Sequence, residues 1–252
     1  MIDTHCHLNE TDYEDLTAVI SRMGNNIMIV AGTNREENEQ VLKLCSQYDN
    51  IYGTIGFHPE FASAWNEEEA TYLEAQLRHP KIVGIGEIGL DYHYETDNKE
   101  LQKRVFREQL FLAHKHQLPV VIHSRDAIQD TYQLLKEGHI EEIPSIMHCY
   151  SSSLEMAREF LKLNMKLGIG GVVTFKNGSK LKEIVKKLPL SSFVLETDSP
   201  YLSPEPFRGK INEPKNAVYV AEMIASLKNL SLAEVLTETT NTACSIFHIS
   251  QK

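Results

Sequence analysis

Residues Ile2-Asp3-Thr4-His5-Cys6-His7 read as a short strand that ends in two histidines separated by one residue. Side chains alternate along a strand, so an extended segment directs His5 and His7 to the same face. Such a pair can bind a metal ion, but alone it is compatible with many proteins. Four more side chains of the same chemistry each end a stretch that is predicted as a buried strand: Glu87, His123, His148 and Asp198.

Short apolar segments alternate with longer amphipathic ones along the 252 residues. Eight of the short segments are predicted strands: Ile2 to His7, Ile27 to Ala31, Ile51 to Phe57, Ile82 to Glu87, Pro119 to His123, Ser145 to His148, Met165 to Ile169 and Phe193 to Asp198. Helical patterns lie between them, the longest from Glu100 to His116, and two more helices close the chain. Strands that alternate with helices in this way pair in parallel as βα units.

An alternation of this kind folds either into a closed barrel or into an open doubly wound sheet. In a barrel, the carboxyl ends of all strands converge on one mouth, where side chains from strands one, four, five, six and eight can meet. In an open sheet, strands so far apart in order could hardly do so. We therefore predict an α/β fold, a (β/α)8 TIM barrel, with residues 1–252 as a single domain.

Charge and hydropathy exclude some classes of protein. A formal net charge of -10 argues against a protein that wraps nucleic acid with a basic surface. It does not argue against an enzyme that acts on one phosphodiester, because bound divalent cations reverse the local field. The sequence has no apolar run of the roughly 20 residues that a membrane span needs, and its start lacks signal-peptide features. We expect a cytoplasmic protein without a membrane association.

The six candidate ligands combine imidazoles with carboxylates, a set that suits Zn, Mn or a similar divalent ion. Six ligands are too many for one tetrahedral ion. They are natural for two ions about 4 Å apart that share a carboxylate. The sequence thus predicts two divalent ions, with Mg, Mn and Zn as candidates.

Several further motifs follow in order along nearly the whole chain. They are Asp3-Thr4-His5-Cys6-His7, Gly56-Phe57-His58-Pro59, Gly86-Glu87-Ile88-Gly89-Leu90-Asp91-Tyr92, His123-Ser124-Arg125-Asp126-Ala127, His148-Cys149-Tyr150, Glu196-Thr197-Asp198-Ser199-Pro200-Tyr201-Leu202, and Arg208-Gly209-Lys210 with Asn212-Glu213-Pro214. In these motifs the chain resembles the TatD family of metal-dependent hydrolases, within the amidohydrolase-like barrels.

The resemblance implies a TIM barrel, a divalent-metal site and hydrolysis of phosphodiesters in DNA, which makes the chain a deoxyribonuclease that cleaves ester bonds. We expect a 3'–5' exonuclease acting on DNA ends or single strands, as a monomer. The family pattern assigns one ion to His5, His7 and Asp198, the other to His123 and His148, and makes Glu87 the bridge. Glu87 and Asp198 are then the catalytic carboxylates, with Asp198 accepting the proton of a metal-activated water.

Other residues receive weaker assignments. His58, Arg125 and Arg208 are candidate substrate contacts, since arginine suits phosphate and His58 faces the same mouth. Glu196 lies on the same strand face as Asp198, one layer deeper, and is expected to orient a histidine ligand. Asp91 and Tyr92 are candidates to line the pocket. Three tyrosines can either stack on a base or serve in packing: Tyr92, Tyr150 and Tyr201.

Three alternatives stay open at this point. Gly84-x-Gly86-x-x-Gly89 matches a dinucleotide fingerprint, but a polar loop, Leu90 to Tyr94, follows it in place of a helix. A metal-dependent ester or amide hydrolase, such as a D-aminoacyl-tRNA deacylase, would use the same ligands on a different bond. A non-catalytic metal-binding protein would keep the ligands without turnover.

Overall fold

The computed structural model describes residues 1–93 and 97–250. Within these ranges, the strands follow one another in chain order in one sheet, β1 to β8. Their bounds are β1 (Ile2–Cys6), β2 (Ile27–Ala31), β3 (Ile51–Ile55), β4 (Ile82–Asp91), β5 (Val120–Arg125), β6 (Ser145–Met147), β7 (Met165–Ile169) and β8 (Phe193–Leu195). The prediction of eight strands in parallel βα units is confirmed, because the register within each resolved pair is parallel.

Helices separate the strands as the pattern predicts. They are α1 (Leu16–Ser21), α2 (Arg35–Gln47), α3 (Glu67–Gln76), α4 (Lys99–His116), α5 (Ile128–Glu137), α6 (Leu154–Lys162), α7 (Ser179–Lys187), α8 (Ala217–Lys228) and α9 (Leu232–Phe247). Short 3-10 turns occupy Pro59–Ala64, Ile140–Glu142, Gly171–Thr174, Leu190–Ser192 and Pro214–Asn216. In the described ranges, no helix combines the length and apolar character needed to cross a bilayer.

Two strands run further than the sequence predicts. β4 continues past Glu87 to Asp91, and β5 continues past His123 to Arg125, because the two strands go on pairing there. Glu87 and His123 therefore lie inside strands, and the prediction that each ends its strand is wrong. It is also wrong for His148 and Asp198, because β6 ends at Met147 and β8 at Leu195. Leu90 and Asp91 belong to β4, so the predicted polar loop begins later, and Tyr94 of that loop lies outside the described residues.

The chain divides into two compact units. Unit one comprises residues 1–30, 148–161 and 166–252, and unit two comprises residues 31–147 and 162–165. The extent of a single domain over residues 1–252 stays a prediction.

In unit one, β1 lies between β2 and the end of β8. The Thr4 hydroxyl donates to the Leu195 carbonyl at 2.9 Å, and beyond the strand the backbone N–H groups of His7 and Asp198 donate to Ser199 and His5. These alternating backbone hydrogen bonds continue the pairing of the two segments beyond the ends of β1 and β8. It brings the segment after β8 alongside the two histidines of β1.

In unit two, buried amides fix the segment that follows β3. Asn38 exchanges two hydrogen bonds with the backbone of Gly56, and Gln109 exchanges two with that of Phe57. Both amide side chains are fully buried, so loss of one of these hydrogen bonds would leave a buried polar group unpaired and lower the stability of the fold. The segment delivers His58, whose ring nitrogen accepts from Glu60 N–H at the start of the 3-10 turn Pro59–Ala64.

Candidate metal centre

Four of the predicted ligands form one cluster in unit one, here called the His5 group: His5, His7, His148 and Asp198. The Nε2 atoms of His5 and His7 are 3.2 Å apart. Asp198 Oδ1 lies 3.7 Å from the first and 3.6 Å from the second. The His148 ring stacks on that of His5 with 4.0 Å between centroids. The alternation of β1 thus turns both histidines to one face, toward Asp198.

Asp198 reaches the group because the chain turns sharply after β8. Asp198 has a φ of 55°, in the left-handed region, and its N–H donates to the His5 carbonyl at 2.9 Å. This backbone bond places the carboxylate beside the imidazoles. Aspartate tolerates the left-handed region better than most residues, which suits this position.

Burial and charge together set the ionisation of Asp198. Burial alone would raise the pKa of the carboxyl, but a hydrogen bond from His7 and the charges of His148 and His5 lower it below its usual value. The side chain is therefore ionised at neutral pH. An ionised carboxylate is the form that binds a cation or accepts a proton.

The donor atoms of the His5 group fit a divalent ion. Zinc binds histidine nitrogen at 2.0–2.1 Å, so two ligands of one tetrahedral ion lie about 3.3 Å apart. The separations of 3.2, 3.7 and 3.6 Å among His5, His7 and Asp198 are close to that edge length. Two imidazoles and a carboxylate are also a common donor set for catalytic zinc. The residues present thus fit a metal ion.

Glu196 is fully buried next to His148 of this group. Its Oε1 accepts a hydrogen bond from Cys149 N–H and lies 3.7 Å from His148 Nδ1. Cys149 has a φ of 45°, so the turn after β6 is bent around this carboxylate. A carboxylate that orients His148 would occupy this position. The orienting role of Glu196 stays a prediction.

Space for Glu196 depends on Gly168 of β7. A Cβ added at Gly168 would lie 2.0 Å from Glu196 Oε2, whereas one at Gly170 would meet nothing closer than 3.7 Å. We expect Gly168→Ala to lower the free energy of unfolding by about 1–3 kcal/mol, as overpacking does, and Gly170→Ala to have a much smaller effect. Urea denaturation of both variants checks this. Equal stabilities would contradict the inferred crowding around Glu196.

The other two predicted ligands, Glu87 and His123, meet in unit two with His58 and Asp91, in a cluster called here the His123 group. His123 Nδ1 lies 2.6 Å from Glu87 Oε1, and His123 Nε2 lies 3.0 Å from Asp91 Oδ2. The His58 ring packs edge-on against that of His123, with its Nε2 at 3.7 Å from Glu87 Oε1. His58, Asp91 and His123 also bring three potential ligand atoms within 4.8 Å of one another.

A local irregularity in β4 shapes this group. The register with β5 shifts between Ile85 and Ile88, so β4 has one more residue than β5 in this interval, as in a β-bulge. Gly86 lies in this stretch, and a Cβ there would be 2.7 Å from Val121 Cβ, so only glycine fits. Beyond the bulge, Gln102 of α4 donates to the Asp91 carbonyl and accepts from its N–H. Asp91 is held firmly beside His123.

The two carboxylates determine the protonation of His123. Burial would lower the pKa of the imidazole, but the hydrogen bonds to Asp91 and Glu87 and the charges of both raise it to about 9. Of its two carboxylates, Asp91 has a pKa below the usual value. Burial raises this pKa, but the hydrogen bonds from His123 and from the His93 backbone, with the charges of His123 and His58, together outweigh burial. Asp91 is thus an ionised partner for the ring.

Sequence reasoning placed Asp91 near the pocket but did not pair it with a histidine. A signal was present, since Glu87 and Asp91 are four residues apart in an apolar stretch, and residues at even spacing share a strand face. The assumption that the strand ended at Glu87 hid that signal.

We expect Asp91→Asn to weaken metal binding 10- to 100-fold. The Asp91 carboxylate accepts from His123 Nε2–H and so orients the ring with Nδ1 on the side of Glu87. Calorimetric titration of the protein with Mn²⁺ measures this. Asp126→Asn is the matched control, since Asp126 is an exposed carboxylate that pairs with the exposed His93. Unchanged affinity in the Asp91 variant would show that the pairing does not support a ligand.

The predicted substrate contacts lie at different depths. Arg125 is the last residue of β5 and is exposed. Arg208 is also exposed, with its guanidinium 4.2 Å from the centre of the Phe175 ring. Of the three tyrosines, Tyr150 is only 2% exposed and donates its hydroxyl to the Ser153 carbonyl, which favours the packing alternative. Tyr92 is half-buried and bonds Asp130, whereas Tyr201 is 59% exposed.

Comparison with known proteins decides the family. The family model described as TatD related DNase matches residues 2–248. The chain belongs to the TatD family. A relative from Bacillus subtilis (strain 168), named uncharacterized metal-dependent hydrolase YabD, is 44% identical over 99% of this chain and 100% of its own length. Another from Escherichia coli (strain K12), uncharacterized metal-dependent hydrolase YcfH, is 32% identical over 99% and 96%.

A solved structure gives the fold class of this TatD-family chain. YjjV, a TatD homolog from Escherichia coli K12, superposes with a TM-score of 0.89 at 31% identity, covering 99% of this chain and 98% of that one. With eight parallel strands alternating with helices, the predicted (β/α)8 TIM barrel is confirmed. The chain is a metal-dependent hydrolase of the TatD family, as the resemblance implied.

Proposed function

We propose that this TatD-family hydrolase is a deoxyribonuclease that cleaves phosphodiester bonds with two divalent ions, as a 3'–5' exonuclease on DNA ends or single strands. The observation that carries the proposal is the triangle of His5 Nε2, His7 Nε2 and Asp198 Oδ1, with edges of 3.2, 3.7 and 3.6 Å. The family description, TatD related DNase, supports the choice of DNA.

The proposed ligands are the six predicted residues, His5, His7, Glu87, His123, His148 and Asp198. Divalent ions, when bound, activate water as a nucleophile and offset charge on phosphate oxygens. Ligands with fixed orientations keep such ions in place, and both groups have them. His5 and Asp198 are joined through the backbone, and His123 is held between two carboxylates.

In the proposed mechanism, Asp198 takes the proton that the attacking water loses. Its lowered pKa keeps it ionised before the reaction, and its position beside His5 and His7 keeps it at the reacting atoms. Glu87, almost fully buried, supplies the second catalytic carboxylate. His58, Arg125 and Arg208 are proposed to contact phosphate oxygens, with the arginines as bidentate donors.

The test is a nuclease assay on end-labelled single- and double-stranded DNA, first with a chelator and then with Mg, Mn or Zn added back. We expect no cleavage in chelator and stepwise shortening from the 3' end with metal. Cleavage that survives the chelator would overturn the metal mechanism. Hydrolysis of D-aminoacyl-tRNA without cleavage of DNA would instead favour the acyl-substrate alternative.

A further inference from the structure

The loop after β8, residues 199–213, presents apolar side chains to solvent. Five large hydrophobic side chains are exposed among the residues that the structure describes, and three of them are in this loop: Tyr201, Leu202 and Ile211, here called the Tyr201 patch. Tyr201 is 59% exposed and Ile211 is 58% exposed. Asn212, next to Ile211, bonds the Tyr201 carbonyl, so the three positions lie close together along the backbone. Apolar side chains exposed at neighbouring positions mark binding surfaces, whereas isolated ones are ordinary.

The patch is held rigidly by its backbone. The buried amide of Asn212 donates to the carbonyls of Thr197 at 2.9 Å and Tyr201 at 2.7 Å. The Tyr201 N–H donates to the Asp198 carbonyl, and the Asn212 N–H donates to that of Pro200. The loop therefore fixes the backbone that carries the exposed Tyr201 ring, which lowers the entropy cost of ordering the loop when a ligand binds there.

The Tyr201 patch borders the His5 group. The Tyr201 ring lies 6.3 Å from that of His7, centroid to centroid, at an angle of 64°. Tyr201 is also three residues after Asp198, in the same hydrogen-bonded turn. A ligand on the patch would thus lie next to the residues proposed to hold the metal.

Two cations accompany the patch in the same loop. Arg208 stacks over Phe175 at 4.2 Å, and the Lys210 ammonium is 5.9 Å from the centre of the Phe207 ring. Both side chains are exposed, in a protein whose net charge is -10. A loop that carries both exposed apolar side chains and cations has the two kinds of group that bind single-stranded nucleic acid, by stacking on bases and by neutralising phosphates.

We propose that the Tyr201 patch is a stacking site for a nucleobase of a single-stranded substrate, with Arg208 and Lys210 on the adjoining phosphates. This inference rests on the proposed nuclease function and names the part of the substrate that the enzyme recognises. A protein partner fits less well, because three side chains fall short of the roughly 800 Å² per partner that a stable interface buries. Stacking has little base preference, since every base has a π face.

The test measures binding of a labelled oligothymidylate with cleavage-resistant phosphorothioate linkages, by fluorescence anisotropy with Mn²⁺ present. Loss of a stacked base costs about 1–3 kcal/mol, so Tyr201→Ala should bind about 5- to 140-fold more weakly. Tyr201→Phe keeps an aromatic face and should recover most of that loss. Phe111→Ala is the matched control, because Phe111 is an exposed aromatic residue of α4 and should leave affinity unchanged.

An abasic oligonucleotide of the same length separates stacking from other effects, as in a double-mutant cycle. If Tyr201 stacks on a base, wild type and Tyr201→Ala should bind the abasic strand equally. An equal loss on both strands, or no loss on either, would overturn the stacking site. Wild-type protein that cleaves DNA while Tyr201→Ala binds normally would reject the patch and keep the proposed function. Wild-type protein that neither binds nor cleaves nucleic acid would reject both.

Discussion

Asp198→Asn is expected to lower the rate of the proposed DNA hydrolysis by about 10³-fold or more while the protein stays folded. General base catalysis contributes about 10²- to 10⁴-fold, and an amide cannot accept the proton. The same change removes a negative charge from a site where two imidazole nitrogens lie within 3.7 Å of the carboxylate. Metal affinity should therefore fall together with the rate.

Three measurements check this prediction: single-turnover cleavage with saturating Mn²⁺, calorimetric titration with Mn²⁺, and circular dichroism for the fold. Saturating metal separates loss of a ligand from loss of a proton acceptor, because only the second persists when the sites are full. Asp12→Asn is the matched control, since Asp12 follows β1 in the same unit and bonds Asn9. A wild-type rate in the Asp198 variant would remove it from the mechanism.

The fold followed from the sequence because its signals are repeated. Eight apolar segments each lie between amphipathic ones, and an error at one segment would not have altered the assignment of the others. Strand ends were less predictable. Pairing of Gly89 with His123 and of Asp91 with Arg125 lengthens β4 and β5. The local sequence of neither segment predicts that pairing.

The candidate ligands were recognisable because their chemistry is unusual at the end of an apolar run. Apart from Glu196, the groups that support them were not. Gln102 belongs to α4, eleven residues from the Asp91 backbone that it holds, and Gly168 belongs to a strand without a candidate ligand. Such partners are defined by three-dimensional packing, and a glutamine or a glycine carries little signal of its own.

Asp3 shows the same limit, since it stands inside the opening motif but received no role. Its side chain is fully buried in unit one. One oxygen accepts from Thr197 N–H at 2.9 Å and from His5 N–H at 3.3 Å, and the other accepts from the Thr197 hydroxyl at 2.6 Å. Burial raises the pKa of Asp3 well above its usual value, against the opposing effect of these bonds. The carboxyl group ties β1 to the segment that carries Asp198.

We expect Asp3→Ala to lower the free energy of unfolding by about 3–5 kcal/mol. The change leaves the buried N–H and hydroxyl donors of Thr197 without an acceptor, and each buried donor that loses its partner costs about 1–3 kcal/mol. Urea denaturation measures the loss. Asp15→Ala in the same unit is the matched control, because Asp15 caps the exposed start of α1 and a lost cap costs about 1 kcal/mol.

A double-mutant cycle with Thr197→Val tests whether the bond itself is responsible. If Asp3 acts through Thr197, the second change should cost much less in the Asp3→Ala background than in wild type. Additive losses would mean that Asp3 stabilises unit one by another route. Mn²⁺ affinity should fall in Asp3→Ala although Asp3 is not a proposed ligand, because the Asp198 N–H bonds the His5 carbonyl and both ends of that bond depend on the Asp3 carboxyl group. The strand that supplies the histidines and the turn that supplies the carboxylate are thus stabilised by one buried side chain.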